Sequence, residues 1–336
     1  MDRIAQDPYA VARRRNRPVV VFGGSGFLGR HLVQRLARLG YPMRIGVRHP
    51  NNALFLKPMG KVGQIEIVPA DIRNTAHAAS LMRDAFAVIN LVGILQETGG
   101  RHFDDIHAEA PGQLAQHAAT LGVTRFVQMS ALGASADSPS HYAQSKALGE
   151  ELVLDAFPDA VVMRPSIVFG PEDDFFNRFA SMTRLSPALP LIGGGQTRFQ
   201  PIFVDDVARA VIIALEHSGT DGEIFELGGN EVLSFEELLE KMLEVIERKR
   251  ILLPVPFAVA EALAFCIGWI PNSPLTPDQL RMLHTDNIVS REAVAERRDC
   301  QALGIEPYPL QAVLPSYLAR FRPSGEFTRD PLRRQK

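Results

Sequence analysis

The sequence predicts an α/β fold with a doubly wound parallel sheet, and three successive features near its start are the reason. Residues 18–22 (PVVVF) are a short apolar run of mostly β-branched residues, which is typical of a fully buried strand. A glycine-rich turn follows, and leucines at helical spacing then predict a helix that ends at Gly40. Residues 43–47 (MRIGV) predict a second strand, so the stretch is a βαβ unit with parallel strands.

The turn after the first strand predicts a dinucleotide site, although a glycine-rich turn can also be only a turn. Gly23 can take the tight turn, Gly26 lets the backbone approach a pyrophosphate, and Gly29 allows close helix–strand packing. The helix start then presents free N–H groups and the positive end of its dipole to the phosphates. The predicted cofactor contacts of this stretch are Gly23, Ser25, Gly26, Phe27, Leu28 and Gly29.

The glycine spacing, G-x-x-G-x-x-G, resembles that of the short-chain dehydrogenase/reductase superfamily in its extended or atypical branch, which has a Rossmann-type fold. A Rossmann unit usually has Asp or Glu about twenty residues after the glycines to hold the ribose 2′-OH. This chain has Gly46-Val47-Arg48-His49 at that place. Arg48 suits the 2′-phosphate of NADP, because a guanidinium can pair with it bidentately; an ordinary exposed arginine is the alternative. NADPH is therefore the predicted cofactor.

Composition bounds the remaining possibilities. A chain of 336 residues with 46% hydrophobic and 22% charged residues is typical of a soluble globular protein, and a net charge of −2 gives no reason to expect nucleic acid. Cys266 and Cys300 have no metal-ligand spacing, so we expect no metal and no structural disulfide. No apolar run reaches the ~18 residues of a membrane-spanning helix. Residues 1–17 are interpreted as a polar tail without a secretory signal.

The next strands are predicted at 65–68, 87–93, 125–130 and 161–171, with a loop at 50–52 before a short helix and a longer helix at about 104–121. In the resembled family the Asp at the end of the third strand meets the adenine, which assigns Asp71 and its neighbour Ile72 to the cofactor. Asp71 could equally be the N-cap of a helix beginning at Thr75. The resemblance also implies cofactor contacts from Leu91, Val92 and Gly93 after the fourth strand.

Tyr142 and Lys146 are the candidate catalytic residues, because residues four apart share one face of a helix. An ammonium beside a phenol favours the phenolate, so the phenol would titrate below its usual pKa of ~10. Both side chains could also bond the nicotinamide ribose. The resemblance adds contacts from Met129, Ser130, Pro165 and Ile167.

The resembled enzymes have a catalytic hydroxyl two residues beyond the first serine after the fifth strand. This chain has Ser130-Ala131-Leu132, so Leu132 stands at that position, and Ser135 or Ser138 would have to substitute. Hydride transfer without a hydroxyl to polarise the carbonyl loses an important electrostatic contribution. We therefore predict cofactor binding and lean against independent turnover.

The predicted organisation is an NADP-binding core at 18–171, a smaller C-terminal α/β region at 172–320 of which 196–228 partly returns to the core, and a basic tail at 321–336. Asp205 is predicted to cap a helix, and Ser234 begins another with a capping box. Residues 248–270 combine a basic cluster with an apolar helix that includes Trp269 and Ile270. This combination suits contact with anionic lipid, and a helix packed inside the smaller region is the alternative.

Taken together, these sequence features resemble one subgroup of that superfamily, the nucleotide-binding accessory subunits of respiratory complex I and their bacterial relatives. The features that carry this are the GGSGFLG turn, Val47-Arg48, Ser130-Ala131-Leu132, and the stretches LPVPF, LTPDQL and DNIV near the C-terminus. The resemblance implies a permanently held, structural NADPH and membrane-bound complex I subunits as partners. It implies a peripheral position near the quinone site, on the cytoplasmic side of a bacterial inner membrane or the matrix side in mitochondria. A working NADP-dependent reductase, epimerase or dehydratase on a sugar or quinone-like substrate, and an NADP redox sensor, remain alternatives.

Overall fold

A computed structural model describes residues 16–267 and 276–323. Most of the predicted N-terminal and basic tails, and also Trp269 and Ile270, lie outside the described residues. Within the described residues, no helix is both long enough and apolar enough to cross a membrane.

A parallel sheet of seven strands forms the centre of the described fold, in the order β11-β6-β5-β4-β1-β2-β3. Its strands are β1 (Val19–Phe22), β2 (Met43–Val47), β3 (Ile65–Pro69), β4 (Ala87–Asn90), β5 (Arg125–Met129), β6 (Val161–Pro165) and β11 (Ile224–Leu227). This confirms the predicted doubly wound α/β fold. The strand order reverses between β1 and β4, and ligands of such sheets bind in the crevice beyond the carboxyl ends of the strands at that point.

Helices cover both faces of the sheet. They are α1 (Phe27–Arg38), α2 (Thr75–Leu81), α3 (Ala110–Thr120), α4 (His141–Ala156) and α6 (Val204–Glu216), whereas α5 (Phe175–Leu185) packs in the smaller layer described below. Alternate residues of β1 explain the two layers: Val19 and Val21 pack on one side with α1 and α6, and Val20 and Phe22 on the other. The predicted loop at 50–52 is wrong, because residues 50–59 form a 3₁₀ helix that starts at Pro50.

Most of the described chain after β6, apart from α6 and β11, forms a smaller layer with its own hydrophobic core. It contains the strands β7 (Val168–Phe169), β8 (Ala188–Ile192), β9 (Arg198–Phe199), β10 (Ile202–Phe203), β12 (Leu233–Ser234) and β13 (Ile251–Val255). Its helices are α7 (Phe235–Val245), α8 (Phe257–Ile267), α9 (Pro277–Met282), α10 (Arg291–Ala295) and α11 (Leu310–Leu318). The strands pair two by two, and phenylalanines from α5, β9 and α7 build its core.

The helix caps confirm one sequence prediction and correct two. Ser234 caps α7 as predicted: its Oγ accepts the N–H of Glu237 at 3.1 Å, and the Glu237 carboxylate accepts the N–H of Ser234 at 2.7 Å. Asp71 is not the cap of α2, because Asn74 lies one residue before the helix and its side chain accepts the N–H of His77. Asp205 is not a cap either, since it lies inside the first turn of α6 and pairs with Arg35 of α1.

Candidate functional site

The turn between β1 and α1 has the geometry that a pyrophosphate requires. Gly23 has a φ of +78°, and a Cβ on Gly29 would come within 2.3 Å of the Gly23 carbonyl oxygen. No described side chain caps α1 at Gly26, and the described first turn of the helix contains no acidic residue. The N–H groups and the positive end of the helix dipole therefore face the crevice uncompensated, which fits a dinucleotide phosphate.

A cleft of about 230 Å³ lies against this turn, at the reversal point of the sheet. Nine residues that the sequence assigns to the cofactor line it: Gly23, Ser25, Gly26, Arg48, Asp71, Ile72, Leu91, Val92 and Gly93. Arg48 is exposed at its edge, after β2. The other three residues of the predicted turn, Phe27, Leu28 and Gly29, belong to α1 and lie outside the lining.

The Asp71 carboxylate is hydrogen-bonded to Arg73, two residues further along the chain. Its carboxylate accepts the Arg73 guanidinium at 2.7 Å and the Arg73 N–H at 3.0 Å, and this hydrogen bonding holds the pKa of Asp71 below its usual value. Arg73 also donates to the carbonyl of Gly100 at 3.3 Å. Through Arg73, Asp71 therefore ties the end of β3 to the turn at Gly99 and Gly100.

Sequence reasoning missed several lining residues. They are Gly46, Val47, Ala70, Ile94, Arg101 and Ile106. Arg101 donates to the Thr98 hydroxyl at 2.6 Å, and the turn between them has positive φ at Gly99 and Gly100. Two adjacent glycines predict such a turn, but no local sequence signal places Arg101 beside the cleft.

The predicted nicotinamide side lies next to the cleft, at the ends of β5 and β6 and the start of α4. Met129 ends β5 with Ser130 after it, and Pro165 ends β6 two residues before Ile167. Tyr142 and Lys146 both lie on the buried part of α4. A Cβ on Gly93 would come within 3.3 Å of the Lys146 Nζ, so this lysine reaches the cleft wall.

The acid–base character of Tyr142 and Lys146 differs from the sequence prediction. The Lys146 Nζ lies 5.8 Å from the centroid of the Tyr142 ring and donates to the Met129 carbonyl at 3.3 Å. Burial raises the pKa of Tyr142 to about 12 and lowers the pKa of Lys146 to about 8. The predicted lowering of the phenol pKa is wrong for this structure, because burial disfavours the charged phenolate.

His107 is a buried polar residue beside Tyr142 that the sequence did not single out. It lies in a π-helical turn (Asp105–Glu109) before α3, stacked on Phe103 and edge-on to Tyr142. Its Nε2 accepts the N–H of Ile94 at 3.0 Å, so the ring proton is on Nδ1. Nδ1 donates it to the Ser145 hydroxyl oxygen at 3.0 Å. Burial lowers the pKa of His107 to about 2. A neutral imidazole thus fixes the backbone that follows Gly93.

The loop after β5 places an apolar side chain, Leu132, and a buried hydroxyl, that of Ser130, near the predicted nicotinamide side. Leu132 is buried, and its N–H bonds the Pro165 carbonyl at 3.0 Å. The Ser130 hydroxyl is buried and has no hydrogen-bond partner among the described residues. A buried hydroxyl of this kind costs free energy unless a ligand or water satisfies it. Its position after β5 therefore fits a bound polar group.

These features define an NAD(P)-binding protein of the Rossmann class. Residues 19–228 match the family described as the NAD dependent epimerase/dehydratase family. The chain is 37% identical over 317 residues to NADH dehydrogenase [ubiquinone] 1 alpha subcomplex subunit 9, mitochondrial, of Arabidopsis thaliana, covering 91% of this chain and 78% of that protein. It is 33% identical to the protein of the same name from Mus musculus, covering 90% and 80%.

The fold is also shared with solved structures. UDP-glucose 4-epimerase from Thermotoga maritima superposes with a TM-score of 0.68 at 19% identity, over 90% of this chain and 98% of that one. The chain belongs to the NAD dependent epimerase/dehydratase family, in the branch that includes the alpha subcomplex subunit 9 proteins.

Proposed function

We propose that the protein is an accessory subunit of respiratory complex I that holds NADPH as a structural cofactor. By their names, the subunit 9 relatives belong to mitochondrial NADH dehydrogenase, and this chain matches two of them over at least 90% of its own length. Such a match supports association with the other complex I subunits. A position near the quinone site, on the cytoplasmic side of a bacterial inner membrane or the matrix side in mitochondria, is part of the proposal.

The observation that carries a structural role is the buried Leu132 side chain, and the burial of the Tyr142 phenol supports it. A general acid or base works best with a pKa near the working pH, whereas burial raises the pKa of this phenol to about 12. The buried Leu132 also lies at the position where the resembled enzymes have a hydroxyl. Both features favour holding a dinucleotide over reducing a carbonyl with it.

The residues present fit NADPH. The turn at Gly23 to Gly26 would hold the pyrophosphate, and Tyr142 and Lys146 would hold the nicotinamide ribose. Arg48 would pair with the 2′-phosphate, because it lies at the cleft edge where NAD-specific proteins have a carboxylate. Bound NADPH would supply a hydride from its reduced nicotinamide ring.

The surface formed by residues 248–263 supports contact with anionic lipid. Ile251, Leu253 and Leu263 are more than half exposed, next to a basic cluster. Arg248 and Arg250 donate to backbone carbonyls, so Lys249→Gln is the variant that changes charge with the least change in structure. At low salt, the wild type should float with anionic liposomes, and Lys249→Gln should float less. Failure of the wild type to float would favour a packed helix.

The test of the main proposal has two parts. The protein should co-purify with complex I from native membranes in stoichiometric amounts, and NADPH should be released on denaturation. The bound NADPH should also keep its absorbance when aldehydes, ketones or quinones are added. Rapid oxidation that is lost in Tyr142→Phe would instead support a working reductase. That second candidate is favoured by one observation, the presence of Tyr142 and Lys146 on one face of α4.

A further inference from the structure

Residues 276–289, here called the return segment, come back from the smaller layer to the nicotinamide side of the sheet. The segment begins at Thr276, includes α9 and ends at Val289. Asn287 forms a parallel bridge with Phe199, and the Val289 N–H donates to the Gln200 side chain at 3.0 Å. The sequence marks this stretch only as part of a family resemblance, and the cofactor contacts described above do not use it.

Asn287 joins the two loops that follow β5 and β6. Its Oδ1 accepts the Ser166 hydroxyl at 2.7 Å and the Ile167 N–H at 3.2 Å, and its Nδ2 donates to the Leu132 carbonyl at 3.2 Å. One amide therefore serves as acceptor toward one loop and as donor toward the other. Aspartate has the same shape but no donor, and it would place a carboxylate against the Leu132 carbonyl.

Asp278 holds the start of α4, one turn before Lys146. Its Oδ1 accepts the His141 N–H at 2.8 Å, and its Oδ2 accepts the Ser140 hydroxyl at 2.8 Å and the Tyr142 N–H at 3.1 Å. The carboxylate thus satisfies free N–H groups at a helix N-terminus and complements the helix dipole. Asparagine would keep the shape, but its NH₂ group would face donors on one side.

We propose that Asn287 and Asp278 are positioning residues for the nicotinamide half of the bound dinucleotide; this inference rests on the proposed cofactor function. They fix the three pieces of backbone that surround the nicotinamide side: the loops after β5 and β6 and the first turn of α4. None of the described residues that line the cleft at the β1–α1 turn belongs to the return segment. The two halves of the site therefore depend on different parts of the chain.

The test compares a whole ligand with its adenine half. Calorimetry on the full chain freed of nucleotide measures the affinity for NADPH and for adenosine 2′,5′-bisphosphate, which lacks the nicotinamide, its ribose and the phosphate attached to that ribose. Asn287→Asp removes the donor to the Leu132 carbonyl, and Asp278→Asn removes the charged acceptor at the start of α4. Each variant should weaken NADPH binding about tenfold and change the bisphosphate affinity by less than about twofold.

Asp286→Asn is the matched control. It is an isosteric change in the same segment, and Asp286 pairs with the exposed Arg198 and not with the nicotinamide side. Both ligands should bind this variant as they bind the wild type. Equal weakening of both ligands in Asn287→Asp and Asp278→Asn, or no weakening, would overturn the positioning role. A wild type that binds neither ligand would overturn the proposed function and this inference with it.

Discussion

Replacing His107 by glutamine should make the fold less sensitive to acid. The imidazole is 1% exposed, and its Nε2 must stay unprotonated to accept the Ile94 N–H. Burial, with smaller contributions from the positive charges of Lys146 and His141, lowers the pKa of His107 to about 2. Glutamine can accept the same N–H but does not titrate.

The magnitude follows from the difference between the folded and unfolded pKa. An unfolded histidine titrates near 6.5, so between pH 6.5 and about 2 the unfolded chain binds a proton that the folded chain does not. The free energy of unfolding therefore falls as the pH drops below 6.5, by about 1.4 kcal/mol for each pH unit. Between pH 7 and pH 4.5 this one group should remove about 2.5 kcal/mol.

Urea unfolding at pH 7 and pH 4.5 measures this loss. The wild type should lose about 2.5 kcal/mol more than His107→Gln over the interval, because all other titrating groups are common to both proteins. His102→Gln, at an exposed position before the π-helical turn, should behave like the wild type. Equal losses in the wild type and in His107→Gln would refute the assignment of a buried neutral imidazole.

Three further substitutions have clear expected outcomes. Arg48→Gln should weaken NADPH binding about tenfold in calorimetry, and equal weakening of NADH would contradict a contact with the 2′-phosphate. Ser234→Ala should lower the free energy of unfolding in urea by about 1 kcal/mol, because the N–H of Glu237 loses its partner; an unchanged midpoint would argue against the capping box. Gly29→Ala should abolish soluble, nucleotide-binding protein, since its Cβ would meet the Gly23 carbonyl at 2.3 Å. Gly219→Ala, which meets no described atom within 4 Å, is the control, and a folded Gly29→Ala would contradict the packing argument.

The sheet was predictable from the sequence because parallel strands buried on both faces are nearly continuous apolar runs, as in β1 and β4. The phosphate side was predictable for a related reason, since its glycines are close together along the chain. The caps were harder: Asp71 and Asn74 lie three residues apart, and only the backbone shows which one precedes the helix.

The acid–base properties of the site could not be derived from spacing. Tyr142 and Lys146 are four positions apart, which predicts a shared helix face, but burial depends on what packs against that face. His107 is one imidazole in a helical pattern, with no local signal for its acceptor role. The contacts of Asn287 join loops that are far apart in sequence, so periodicity along the chain does not reveal them.

The pairing of Leu132 with Asn287 also bears on the order in which the protein can fold during synthesis. The two residues are 155 positions apart, whereas the phosphate-binding turn is complete within residues 19–47. During synthesis the residues of the phosphate-binding turn emerge early. The contacts of the nicotinamide side form only after residue 287 has been synthesised. A fragment that stops at residue 171 would also lack β11, which pairs with β6 at the edge of the sheet. Enclosure of the nicotinamide is thus expected late, after enclosure of the phosphates, because it needs residue 287.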